Sequence, residues 1–211
     1  MALPDHPYQR ISIDWFSYEQ AFNGLTGCTI IKCDLTSVTT VVPGEGKNTI
    51  GPAITQLDTR VHRQYGFRIC QVRSDNEPAL GNAFPAWCKR EGIDWIPSST
   101  YTSAQNGGAE RAGGVIIRIS TSIRIAARLP EDYWPESTVT AAYLHNLMPT
   151  ETNGWKSPLV TLKEAINAFT NSPLDEEIYV DWPPGYKNAS NSRECLRLHK
   201  ALYGLRRSPL L

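Results

Sequence analysis

The sequence has few cysteines, no long apolar run and no excess of charge of either sign. Its five cysteines, Cys28, Cys33, Cys70, Cys88 and Cys195, are scattered and odd in number. No C-x-x-C pair exists, and only one histidine, His199, stands within five residues of a cysteine, Cys195. That pattern speaks against a disulfide framework and against a self-evident zinc site. The thiols are expected to be free, small buried hydrophobes in a reducing compartment. No window holds the roughly 18–20 uninterrupted apolar residues that a membrane span needs. The start, "MALPDHPYQR", has no apolar signal core, so secretion is not expected. Lys and Arg together number 21, as do Asp and Glu. Any nucleic-acid contact must therefore come from local patches rather than a global field.

What is present fits an ordinary globular chain. Apolar residues make up 41% and charged residues 20% of 211, enough for one substantial domain and an appendage. "RISIDWF" (10–16) alternates Ile11, Ile13 and Trp15 with Ser12 and Asp14, a strand pattern. "CTIIKCDL" (28–35) and "SVTTVV" (37–42) are β-branched and read as two strands joined by a tight turn. Residues 49–66 carry Ile50, Ile54, Leu57 and Val61 at helical spacing, with Gly66 as C-cap. "FRICQV" (67–72) reads as a fourth strand and "IDWIP" (93–97) as a fifth. Between them lies a helix that Pro85 shortens or kinks. Two more helices are expected, from Ala109 to Arg128 and from Glu131 to Leu147. The order implies an α/β fold: a mixed five-stranded sheet flanked by helices. Beyond about 160 the chain turns to Pro pairs and short amphipathic pieces. So short a stretch is a poor independent core, and a poorly structured C-terminal extension is expected there.

Three acids stand out by position. Asp14 lies in the first strand, Asp75 follows the fourth, and Glu110 opens a long helix 35 positions later. In open α/β sheets, sites form beyond the carboxyl ends of strands. Hard divalent cations take oxygen ligands, and paired metals can serve both oxygens of a phosphoryl transfer. At 100° per residue, Ala112, Ile116, Ile119, Ile123 and Ala127 form one face of the long helix. Glu110 then falls roughly 150° from its centre, and Arg111 and Arg118 share a flank about 20° apart. That pair is a candidate phosphate-contacting row. Taken singly, each acid reads more readily as a turn, cap or dipole-complementing residue. Asp34 and Glu77 are rival acids.

The wording around the acids narrows the choice. "RSDNE" (73–77), followed by "YTSAQNGGAERAGGVI" (101–116), resembles the integrase core of copia-type LTR retrotransposons. "RIAARLPEDYWPE" and "AAYLHNLMPT" are similar to the helices that follow the glutamate in that family. The resemblance implies a ribonuclease H-like fold over 8–158 and a catalytic, metal-ligating set of Asp14, Asp75 and Glu110. It implies two Mg²⁺ (or Mn²⁺) ions. Asn106 and Gly107 would belong to a nucleic-acid-binding loop beside the glutamate, with Arg111 and Arg118 further along. The family's reactions are processing of element DNA ends and strand transfer into target DNA, by homo-oligomers, in the nucleus or cytoplasm. RNA is kept as an alternative ligand.

The tail resembles another protein. "EAINAFTNSPLDEEIYVDWPPGY" and "LHKALYGLRRSPLL" are similar to copia-type reverse transcriptases, most of all fungal ones, over 159–211. Glu164 stands where that family's first catalytic aspartate is expected, and the later Asp-Asp pair has no counterpart, so polymerase activity is not expected. The family's zinc-binding His/Cys module and the DNA-binding region after the core also lack counterparts. A degenerate integrase core is therefore expected. The alternative is a catalytically inactive nucleic-acid-binding or interaction remnant.

Overall fold

A computed structural model describes residues 4–74, 83–97, 107–170, 173–180 and 195–200. Its main sheet joins β1 (Arg10–Ser17), β2 (Gly27–Cys33), β3 (Thr39–Gly44), β4 (Gln71–Ser74) and β5 (Asp94–Pro97) in the order β3-β2-β1-β4-β5. β1, β2 and β3 form an antiparallel meander, and β4 and β5 add in parallel beyond β1. This is the expected mixed five-stranded sheet. Between β2 and β3 the turn closes with Cys33 N–H on the Val38 carbonyl, and Ser37 adopts a left-handed φ of 61°.

The helices are α1 (Ile50–Tyr65), α2 (Ala83–Glu91), α3 (Gly107–Ala126), α4 (Trp134–Leu147) and α5 (Pro158–Thr170). α1 buries Ile50, Ile54, Leu57 and Val61 and ends at Gly66, whose φ of 76° and bond to the His62 carbonyl make the expected C-cap. Pro85 is the third residue of α2, a short helix of nine described residues, as expected, where its missing N–H costs no intrahelical bond. The fourth strand differs from expectation. The Ile69 N–H donates to Asp58, and both the Cys70 and Gln71 N–H groups donate to the Gln9 carbonyl. The ladder therefore begins at Gln71 and runs to Ser74, not over 67–72. α5 was not expected from the sequence either. Its signal is Ser157 before Pro158: the Ser157 hydroxyl accepts the Val160 N–H at 3.3 Å, a side-chain cap on the first turn.

Side chains alternate across a strand, so register assigns the two sheet faces. Ile11 and Ile13 of β1 point to one face with Ile31 of β2. Arg10, Ser12, Asp14 and Phe16 point to the other, with Ile30 and Lys32. The second face divides along its length. Near Phe16 it is apolar: Cys28, Ile30 and Val41 join Ile116 of α3 and Trp134, Ala141 and Ala142 of α4 in one core, with Phe16 packed against it. Near Arg10 it is polar. Tyr18 stacks on Trp134 with centroids 4.4 Å apart, at the start of α4. Asn146 clasps the edge strand at the other end: Thr39 N–H donates to Asn146 Oδ1 at 2.9 Å, and Asn146 Nδ2 donates to the Thr39 carbonyl at 2.7 Å.

The chain divides into two compact units, Met1–Lys163 and Glu164–Leu211. In the second, β6 (Pro173–Val180) and β7 (Leu196–Lys200) pair antiparallel, with Arg197 and Glu177 bridged at 2.7 Å. No helix among the described residues is long and apolar enough to cross a membrane.

Asn146 lends itself to a direct test. Asn146→Ala leaves a buried N–H and C=O of Thr39 without partners, at a cost of about 2–4 kcal/mol. Urea unfolding should show a lower midpoint with an unchanged slope.

Candidate active site

Asp14 is the fifth residue of β1, the central strand, and is half-buried. It pairs with Ile30 and lies two residues beyond Ser12, which pairs with Arg73 of β4. The Trp15 N–H donates to Asp14 Oδ1 at 2.8 Å, which fixes one oxygen. The Cys28 thiol is pushed up to about 12, chiefly by burial and then by the Asp14 carboxylate. β4 ends at Ser74, one residue before Asp75. That end is held by the Trp95 indole N–H, which donates to Ser74 Oγ at 2.8 Å. Asp75 itself, with Glu77 and Asn106, lies outside the described residues.

Glu110 sits in the first turn of α3, which Gly107 opens. The helix buries Ala109, Ala112, Gly113, Ile116 and Ser120. That stripe is centred nearer Ala109 than the expected one, because Gly113 and Ser120 face inward and Ala127 lies beyond the helix, exposed. Glu110 therefore stands about 100° from the stripe's centre, at its margin and on the Gly113 side, rather than nearly opposite it. It is exposed. Gly113, three residues later, is in tight contact with the sheet. A Cβ there would run into the Phe16 ring and come within 3.1 Å of Ile30 Cδ1. Phe16 and Ile30 are the residues that flank Asp14 on its own face. Three residues, about 4.5 Å along the axis, separate this contact from Glu110. The helix thus crosses the face that carries Asp14. Arg111 and Arg118 are exposed, as a solvent-side row should be.

Asp34 is accounted for differently. Its Oδ2 takes Arg10 Nε at 2.8 Å and Arg73 Nη1 at 3.2 Å, and its Oδ1 accepts the Ser12 hydroxyl at 2.6 Å. Its side chain is 13% exposed. This carboxylate joins β1, β2 and β4 below Asp14 and acts as a strand tie. Sequence reasoning could not separate it from Asp14, since each is a single acid in or just after a β-branched strand segment. Two other residues were missed. Burial holds the Lys32 amine below its ordinary value, a shift that Asp34 opposes and Arg111 reinforces. Burial, then Lys32, lowers His145 likewise. The available signal was Lys32 itself, a lone charge inside "CTIIKC".

Among the described residues no three His, Cys, Asp or Glu side chains gather as a metal would need. The donors that are described, Asp14 and Glu110, are carboxylates brought to one side of the sheet, which suits a hard cation.

The structure is similar to known integrase cores. It matches the catalytic core domain of HTLV-2 integrase, solved with magnesium in a trimeric form, with a TM-score of 0.54 at 14% identity, over 74% of this chain and 97% of that one. It also matches the simian T-cell lymphotropic virus intasome, solved with the PP2A regulatory subunit B56 gamma, with a TM-score of 0.58 at 17% identity, over 84% of this chain and 61% of that one. The fold is that of an integrase core. In sequence, the chain is 30% identical over 105 residues to a retrovirus-related Pol polyprotein from transposon TNT 1-94 of Nicotiana tabacum. It is 48% identical over 44 residues to a putative transposon Ty5-1 protein of Saccharomyces cerevisiae. These stretches are 49% and 21% of this chain, but it spans only 8% and 14% of those relatives' lengths. Residues 157–211 match the family described as reverse transcriptase (RNA-dependent DNA polymerase). The chain is thus similar to a region of the Pol polyproteins of copia/Ty-type retrotransposons.

The tie at Asp34 makes a prediction. Asp34→Ala leaves Arg10 and Arg73 together without their shared partner, and should destabilise by about 3–5 kcal/mol. Thermal unfolding compared with Asp14→Ala, expected to be much milder, distinguishes the strand tie from the site carboxylate.

Proposed function

We propose that residues 8–158 form a metal-dependent integrase-type core that cleaves phosphodiester bonds and transfers DNA strands. Residues 159–211 are then a truncated reverse transcriptase fragment. The observation that carries this reading is the placement of α3. The turn bearing Glu110 leads into the contact of Gly113 with Phe16 and Ile30, on the face of Asp14, while β4, whose Arg73 pairs with Ser12, ends at Ser74, the residue before Asp75 in sequence. Carboxylates from two strands and one helix are the donor set that a pair of Mg²⁺ or Mn²⁺ ions takes.

In this reading Asp14, Asp75 and Glu110 hold the ions. When bound, such ions supply Lewis acidity toward a phosphodiester and an activated water or 3′-hydroxyl. The chain's own residues do the positioning. Asp14 is fixed by its strand and by the Trp15 N–H. Ser74, the last residue of β4 and next to Asp75 in sequence, is tied to Trp95. Arg111 and Arg118, exposed along α3, are proposed to contact DNA backbone, together with Gly107 at the start of α3 and Asn106 before it in sequence. The partners proposed are element ends and target DNA, handled by a homo-oligomer in the nucleus. The yeast relative supports a fungal source.

The test is Mg²⁺- or Mn²⁺-dependent nicking of a DNA oligonucleotide by the full chain. Asp75→Asn and Glu110→Gln should each lower the rate by about a hundredfold or more while leaving DNA affinity nearly unchanged. Equal nicking by wild type and Asp75→Asn sinks the enzyme reading. Binding that falls with salt and survives Asp75→Asn, without any nicking, supports an inactive binding fold instead.

A further inference from the structure

Three basic residues lie near one another on three elements, on the side of the sheet that carries Asp14. Lys32 comes from β2, Arg111 from the first turn of α3 and His145 from the last turn of α4. The backbone explains why they converge. Lys32 pairs with Thr39, whose N–H and C=O are clasped by Asn146, the residue after His145. Ile30, on the same face as Lys32, approaches Gly113, two residues after Arg111. The charges sense one another, since Arg111 disfavours the Lys32 ammonium and Lys32 disfavours the imidazolium of His145.

Lys32 and His145 are half-buried and Arg111 is exposed; like charges brought near half-buried groups cost free energy unless an anion joins them. The nearby acid, Asp34, is already engaged by Arg10, Arg73 and Ser12. Among the described residues, the side chains of Lys32, Arg111 and His145 make no hydrogen bond or ion pair. An ammonium carries three donors and an imidazole one or two, so the notch offers several N–H groups to an anion.

We propose that Lys32, Arg111 and His145 form a binding notch for a DNA backbone phosphate next to the scissile one. The choice of DNA rests on the integrase reading above. The spacing favours it over a free anion: Lys32 is the diagonal neighbour of Asp14 across the β1–β2 pair, a separation of roughly 7–8 Å or less. A strand whose reacting phosphodiester sits at the carboxylates then lays an adjacent phosphate in the notch. Lys32 and His145 are binding residues here, and neither touches the reacting bond.

The experiment uses the full chain and a fluorescent duplex oligonucleotide, with Kd measured over a range of salt. Lys32→Gln and His145→Gln are compared with Lys89→Gln, an exposed change on α2. Lys32→Gln should weaken binding about five- to tenfold near 0.1 M salt and lower the salt slope by about one. His145→Gln should weaken it in the same direction below about pH 6, where the imidazole can charge in contact with phosphate. Lys89→Gln should do neither. The thermal midpoint of Lys32→Gln should equal or exceed that of wild type, because a repelling charge is removed; a large fall would mark a structural lysine and overturn the proposal. Inorganic phosphate serves as the second probe. It should shift the His145 ring resonances of wild type, and do so more weakly than the oligonucleotide does. A shift with phosphate but none with DNA overturns the assignment to DNA. Wild-type affinity and slope in both notch variants, or no salt-dependent binding by wild type at all, overturns the notch. Metal-dependent nicking that persists in that case leaves the catalytic reading intact. Lys32-dependent binding without any nicking removes the catalytic reading and leaves the notch standing.

Discussion

The approach of α3 to the sheet at Gly113 is the constraint on which the rest depends. No side chain fits between that helix position and the Phe16 ring, so the helix axis lies as low on β1 and β2 as backbone allows. A helix is stiff along its length. Fixing it at Gly113 fixes the turn before it, and so fixes where Glu110 and Arg111 stand relative to Asp14 and Lys32. The same contact seats Ile116 among Cys28, Ile30 and Val41, and the hydroxyls of Ser120 and Ser137, 2.7 Å apart, carry the constraint into α4. Position of the site and packing of the core are one arrangement.

The covered face of the sheet is apolar at one end and polar at the other, and the two ends do different work. Phe16, Cys28 and Ile30 supply burial, worth roughly 1.5–3 kcal/mol for each fully buried large side chain. Arg10, Ser12, Asp34 and Arg73 supply a closed set of charge-assisted bonds that ties three strands at their crossing. Asp14 and Lys32 lie at the border between these regions. A carboxylate there is close to a rigid core yet not consumed by the strand tie. That separates Asp14 from Asp34, two acids of the same type one strand apart.

Much of this was legible in the sequence. The alternation of "RISIDWF" and the β-branched runs after it specify the meander, and the spacing in α1 with Gly66 behind it specifies that helix to its last residue. What failed did so for local reasons. Phe67 and Ile69 are buried and look like strand, but Asp58 and the Gln9 carbonyl take their neighbouring N–H groups, so pairing starts later. The face of α3 was misjudged because glycine and serine carry no hydrophobic signal, and Gly113 and Ser120 are the inward residues that displace the stripe. α5 went unseen because its start rests on a Ser–Pro cap rather than on periodicity. The division of labour between Asp14 and Asp34 was illegible, since it depends on guanidinium groups that arrive from β1 and from β4, 24 and 39 residues away from Asp34.

The central claim is that Asp14 and the first turn of α3 belong to one metal-binding place. Titration with Mn²⁺, followed by paramagnetic broadening of assigned amide resonances, tests it most directly. The account predicts that residues 13–15 and 109–112 broaden together at the lowest Mn²⁺ concentrations, and that Asp14→Asn abolishes both effects. Broadening centred on Asp58 and Glu91, or broadening at residues 13–15 with none at 109–112, would contradict it.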